Sequence, residues 1–170
     1  LHWALREVLG SHVQQAGSLV APDRLRFDFS HSSAITQDEL DAVEALANAE
    51  IITDAPVRHY ETTKEHAESL GAIAFFGDKY GDLVRVLEAG EHSIELCGGT
   101  HVRLTAEIGP VVLLTEGSVG SGARRIEAIT AGEAWAVLEG RSRELDAVRA
   151  ELEQVRRETK KPQRTEPEAA

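Results

Sequence analysis

RLRFDFSHSSAITQDELDAVEAL, residues 24–46, changes its hydrophobic period halfway along. In the first part Leu25, Phe27 and Phe29 alternate with Arg24, Arg26 and Asp28, as in a strand with one buried face. In the second part Thr36 followed by Glu39 is a capping-box signature. The helix it opens carries Leu40, Val43, Leu46, Ala47 and Ile51. Strand and amphipathic helix therefore stand side by side in one stretch of chain.

Working outward, Leu1, Ala4, Leu5, Val8 and Leu9 recur at helical spacing until Gly10. Val13 to Val20 and Arg24 to His31 read as two strands joined by the turn Ala21-Pro22-Asp23. Downstream, Asp54-Ala55-Pro56 ends the helix, Pro56 to Glu61 reads as a strand, and a short helix runs from Lys64 to Leu70. Further strands are predicted at Ala72 to Phe76, Leu83 to Glu88, Ser93 to Leu96, Val111 to Glu116 and Arg124 to Thr130. This order predicts an α+β domain over residues 1–135, a mainly antiparallel sheet with packed helices. No βαβ alternation, G-x-G-x-x-G or P-loop pattern is present, which leaves nucleotide-binding folds without support.

Beyond residue 135 the pattern changes. Leu138, Leu145 and Leu152 are seven apart, Val148 and Val155 fill alternate seam positions, and Arg141 interrupts the seam. Residues 136–159 read as a helical arm or short coiled coil, or alternatively as a helix lying on the domain. From Lys160 the run KKPQRTEPEAA loses its apolar period, and disorder is expected over 160–170.

The chain has 170 residues, 42% of them apolar, enough for a packed core. It has no apolar run of bilayer-spanning length, so no membrane span is expected. The N-terminal segment LHWALREVLG carries charges within its apolar pattern and does not read as a signal peptide. A single cysteine cannot form an internal disulfide and suits a reducing, cytoplasmic setting. A first residue of Leu and the absence of Met suggest a piece of a longer protein. Residues 1–135 hold 10 Lys+Arg against 21 Asp+Glu, whereas residues 136–170 hold 8 of each, so the whole net charge of −11 sits on the domain. A long-range positive field for nucleic acid is therefore absent, and any polyanion must be gripped locally.

Cys97-Gly-Gly-Thr-His101 holds the one cysteine four residues from a histidine. On a tight loop this spacing can aim thiolate and imidazole at one point, and that donor pair suits zinc. The alternative is a buried thiol beside an ordinary turn, and two ligands are too few for a complete site. His2, His12, His31, His59, His66 and His92 form no HxxxH pair, so spacing does not supply the missing ligands. Gly117-Ser-Val-Gly-Ser-Gly-Ala-Arg-Arg125 is glycine-rich and runs into two arginines. Gly120, Gly122, Arg124 and Arg125 are thus candidates for anion binding, or members of a flexible hairpin loop. No Ser-His-Asp arrangement is suggested, and Gly17-Ser18 lacks the G-x-S-x-G elbow.

The segments HVQQAGSLV, RLRFDFSH, IELCGGTHV and GSVGSGARRIEAITAGEAW, in that order, together resemble the editing domain of alanyl-tRNA synthetase. The resemblance spans Leu1 to Trp135, and the helical tail is similar to the linker that follows that domain. It implies an α+β domain, shared with threonyl-tRNA synthetase, holding one zinc between an HxxxH pair and the CGGTH segment. Cys97 and His101 match the second ligand pair and Gln15 matches a pocket glutamine, so these three are the implied catalytic residues. Gln15, Arg124, Arg125, Gly120 and Gly122 match substrate-side positions. The histidine pair of the family lies just before the stretch matching Leu1-His2-Trp3-Ala4, and His2 matches a different, later histidine. This chain alone is therefore expected to hold zinc weakly or not at all.

The implied reaction is hydrolysis of the ester joining Ser or Gly to tRNA(Ala). A pocket that selects by one methyl group discriminates by only about 1–3 kcal/mol, which is why a second, hydrolytic site is needed. The implied partners are the acceptor end of tRNA(Ala) and the rest of the synthetase, with self-association through the arm as a further expectation. ATP and Mg belong to a ligase core that this stretch does not contain. A freestanding alanyl-tRNA editing protein and a non-catalytic interaction module are the alternatives.

Overall fold

Phe27 and Phe29 lie on one side of a strand, and their burial organises the larger of two sheets. The computed structural model describes residues 1–74 and 81–159. In chain order its elements are α1 His2–Leu9, β1 Gln15–Val20, β2 Leu25–Ser30, α2 Gln37–Ile52, β3 Val57–Thr63, α3 Lys64–Ser69, β4 Leu83–Ala89 and β5 Ser93–Leu96. A 3-10 turn at Thr105–Ile108 follows, then β6 Val111–Gly120, β7 Ala123–Thr130 and α4 Ala131–Thr159. The α+β class with antiparallel pairing agrees with the order of elements read from the sequence, but the strands divide between two sheets. One has the order β1-β2-β7-β6 and the other β3-β4-β5. Of the strand expected at Ala72 to Phe76, Ile73 makes a single parallel bridge to Glu95. Residues 75–76 and the tail 160–170 lie outside the described residues.

The main core forms where one face of the four-stranded sheet meets α1 and α2. Phe27, Phe29 and Ile126 pack there against Ala4, Leu5, Val43 and Ala47. Burying such side chains contributes roughly 1.5–3 kcal/mol each. A second cluster joins Val84, Val86 and Leu96 of the smaller sheet to Ala67 of α3.

β6 is an edge strand, and α2 covers its exposed backbone. Asn48 donates from Nδ2 to the Val111 carbonyl and accepts from the Val111 N–H, both at 2.8 Å. Glu44 accepts from the Leu113 N–H at 2.7 Å. An open edge is a template for unwanted strand pairing, so these side chains protect it as well as dock the helix. The capping box at Thr36 and Glu39 starts α2 as its sequence requires.

The chain separates into two compact units, Leu1–Ala134 and Trp135–Ala170. Within the second, α4 exposes Leu145, Val148, Leu152 and Val155. No helix among the described residues is long and apolar enough to cross a membrane.

Candidate functional site

β5 delivers Ile94 and Leu96 to the α3 side of the smaller sheet, which leaves Glu95 on the opposite face. The chain then leaves the sheet and turns over five residues. Arg85, on the neighbouring β4, holds that turn: its Nη1 donates to the carbonyls of Cys97 (2.8 Å) and Gly99 (2.7 Å). The Cys97 N–H donates in return to the Arg85 carbonyl at 3.1 Å. So fixed, the turn brings His101 Nε2 to 3.2 Å from Cys97 Sγ.

Neither Gly98 nor Gly99 adopts a left-handed conformation. A Cβ at Gly99 would lie 3.5 Å from both Sγ and Nε2, an ordinary van der Waals contact. Burial, with Arg85 beside it, holds the His101 imidazole below its usual pKa, in the neutral form that can donate a lone pair. Zinc bonds to sulfur and nitrogen at about 2.3 and 2.0–2.1 Å, which sets tetrahedral partners about 3.6 Å apart. The observed separation is within a few tenths of that, so Cys97 and His101 fit two positions of a zinc site. Among the described residues no group of three or more His, Cys, Asp or Glu is placed to hold a metal ion.

Behind the turn lies a polar pair with no sequence signature. His2 on α1 is buried at 5% exposure, packs on Phe27 with ring centroids 5.6 Å apart, and brings Nδ1 to 3.3 Å from Glu95 Oε1. The approach falls short of a well-aligned hydrogen bond, because neither ring nitrogen meets hydrogen-bond geometry. Burial acts to raise the Glu95 carboxyl, but His2, the amino group of Leu1 and Ser93 together outweigh it, and the group stays below the usual carboxylate range. The pair fastens α1 to the strand that carries the CGGTH turn.

The other candidate residues sit on the four-stranded sheet. Gln15 pairs with Phe29 across β1 and β2, and Phe29 pairs with Arg124 on β7, placing them in one row. Gln15 Nε2 donates to Ser18 Oγ at 2.9 Å. Gln15 and Gly122 line a common recess with Ser30 and Ala123.

The stretch read as a glycine-rich loop is mostly strand. Gly117, Ser118 and Gly120 pair with Arg125, Arg124 and Ala123, which leaves a two-residue connection at Ser121-Gly122. Gly122, at φ 70°, makes that turn possible. Both arginines already hold carboxylates. Arg124 makes a two-point contact with Glu116, its Nη2 donating at 2.7 Å, and Arg125 donates to both oxygens of Asp28 at 2.7 and 2.8 Å. These partners raise both guanidinium pKa values and lower that of Asp28.

Among the described residues no hydrogen bond or ion pair joins the Cys97–His101 turn to Gln15, Arg124 or Arg125. The remaining histidines occupy structural or surface positions. His12 and His31 meet at 2.9 Å, His92 contacts Glu50 and stacks on Trp3, and His59 and His66 are exposed. Sequence reasoning passed over Arg85, Glu95 and the place of His2. The only local signal was the period-two position of Glu95 in a short apolar strand.

Comparison with known proteins supports the resemblance seen in the sequence. Residues 84–127 match the family described as the threonyl and alanyl tRNA synthetase second additional domain. The chain is 56% identical over 134 residues to an alanine–tRNA ligase of Desulfitobacterium hafniense, covering 79% of this chain and 15% of that one. It is 53% identical over 145 residues to the alanine–tRNA ligase of Pelotomaculum thermopropionicum, covering 85% and 16%. A third, from Xanthomonas campestris, is 52% identical with 88% and 19% covered. The chain thus spans less than a fifth of the length of these relatives.

Proposed function

Because the chain belongs to the threonyl and alanyl tRNA synthetase second additional domain family, we propose that it is the post-transfer editing part of an alanine–tRNA ligase. Its reaction is hydrolysis of the ester that joins Ser or Gly to the terminal ribose of tRNA(Ala). The observation that carries this reading is the 3.2 Å approach of Cys97 Sγ to His101 Nε2 inside the matched segment. The aligned relatives are ligases more than five times longer, which favours a synthetase over a freestanding editing protein.

In this reading Cys97 and His101 hold zinc together with residues outside the present chain. When bound, zinc would supply Lewis-acid polarisation of the ester or an acidified water. The protein's own residues do the positioning. Arg85 fixes the two backbone carbonyls of the turn, and Glu95 with His2 ties the turn's strand to α1. Gln15 offers an amide to the aminoacyl group, and Arg124 and Arg125 with Gly120 and Gly122 lie toward the substrate end. ATP and Mg would serve the ligase core of the longer protein, which works in the cytoplasm.

The test is hydrolysis of Ser-tRNA(Ala) by the protein extended upstream to include the family's histidine pair. Cys97→Ala is expected to cut the rate by about 100-fold or more, as loss of a metal ligand should. Unchanged hydrolysis in that variant would sink the assignment of Cys97, and no hydrolysis by the parent would sink the editing reading.

A further inference from the structure

The two edges of the four-stranded sheet are treated differently. α2 closes the β6 edge through Asn48 and Glu44, whereas among the described residues no backbone pairs with the outer side of β1. The usual protections against strand pairing are also missing there, because Gln15–Val20 holds no charged residue and no proline. A bulge at Ala16 interrupts the ladder with β2, but Gly17 to Val20 pair regularly with Asp28 to Leu25. The Ala21 N–H donates to the Arg24 carbonyl at 2.9 Å, which makes that pair a hydrogen-bonded one. Alternation along an antiparallel ladder then turns the N–H and C=O of Val20 and Ser18 away from β2, while Leu19 bonds to Arg26. Val20 is 81% exposed and Leu19 40% exposed, so the open edge is apolar as well.

At its end the edge runs into a groove of about 370 Å³ whose apolar lining includes Val102, Ile108 and Ile129. Asp23, Glu107 and Glu133 also line it, against a single cation, Arg24. Asp23 lies 3.5 Å from Arg24 and Glu107 lies 3.0 Å from Arg103, but Glu133 has no ion-pair partner among the described residues. Such a surface fits an extended strand. Main-chain bonds at Ser18 and Val20 hold it, an apolar side chain enters the groove, and a cation reaches Glu133.

The alignments cover only 15–19% of each relative, so more than four-fifths of such a chain lies outside the matched region. A segment of that same polypeptide is tethered and needs little intrinsic affinity to stay bound. A second copy is the poorer occupant, because residues 1–135 bring the whole net charge of −11 to both sides. We propose, on the reading of this chain as one part of a longer ligase, that β1 and its groove dock an extended, cation-bearing segment of that ligase from outside residues 1–170. The surface contains neither Cys97 nor His101, so docking and hydrolysis can fail separately.

The test is amide hydrogen exchange on this chain and on the full-length ligase that contains it. In this chain Ser18 and Val20 should exchange freely, at least about 100-fold faster than Leu19. In the ligase both should slow at least about tenfold. Val20→Pro removes an outward N–H without touching the ladder to β2, and should return Ser18 to the fast rate. Glu133→Lys should also speed Ser18 in the ligase while leaving it unchanged in this chain. A photo-crosslinker in place of Val20 should join the ligase to its own chain outside residues 1–170. Equal exchange in both proteins, indifference to both substitutions, or cross-links only to a second copy or to tRNA would each overturn the proposal. A ligase that hydrolyses Ser-tRNA(Ala) with β1 unprotected would refute the docking alone, and a protected β1 without hydrolysis would refute the editing reading alone.

Discussion

Arg85 does at residue scale what two glycines cannot do alone. A five-residue turn off the end of a strand has many conformations, and bringing Sγ to Nε2 costs backbone entropy of about 1–2 kcal/mol per residue fixed. The guanidinium offsets part of that cost by holding two carbonyls of the turn at 2.7–2.8 Å. Charge-assisted bonds of this kind are stronger than neutral ones, though partial exposure weakens these. Arg85→Ala should therefore loosen the turn without unfolding the sheet. Amide exchange at Gly98 to His101 is expected to accelerate about tenfold, corresponding to about 1.4 kcal/mol of local opening, while β4 and β5 keep their protection. Unaltered exchange in the turn would show that the arginine does not hold it.

At the scale of elements, what was legible in the sequence is what short-range chemistry determines. The capping box starts α2 because Thr36 and Glu39 meet within one turn of chain. The strand at Ser93–Leu96 was visible because alternation is a local property. Gly117 to Arg125 misled because two of its glycines sit in β6, where pairing with β7 overrides their weak strand preference. The site divides the same way. Cys97 and His101 could be found together because five residues contain both, whereas Arg85 arrives from the next strand and His2 from a helix 93 residues away from Glu95. One glycine makes an element-scale demand of its own. Gly109, at φ 68°, ends the 3-10 turn where an added Cβ would lie 3.0 Å from Ala131 Cα at the start of α4. Gly109→Ala combines left-handed strain with a backbone clash, and should destabilise the domain by about 1–3 kcal/mol in chemical denaturation. A loss below a few tenths would mean that the junction yields freely.

For the whole molecule, charge limits how the proposed substrate can be held. The net −11 lies entirely within residues 1–135, and the two arginines nearest the proposed acceptor end are already paired with Glu116 and Asp28. A phosphate must compete with those carboxylates, both largely buried against their partners, before either arginine can neutralise it. Where these two arginines supply the phosphate contacts, each contact to a single strand contributes about 0.7 to the slope of log affinity against log salt. The chain should bind tRNA weakly, with a slope no steeper than about −1.4. Titration of tRNA(Ala) at several salt concentrations measures this directly. A much steeper slope would show that further arginines of this chain grip the tRNA, whereas a shallow one assigns the grip on the tRNA body to other parts of the longer protein. Glu116→Gln and Asp28→Asn give the same argument a sign: each frees an arginine, so each should strengthen binding and steepen the slope, even though each removes an ion pair from the fold.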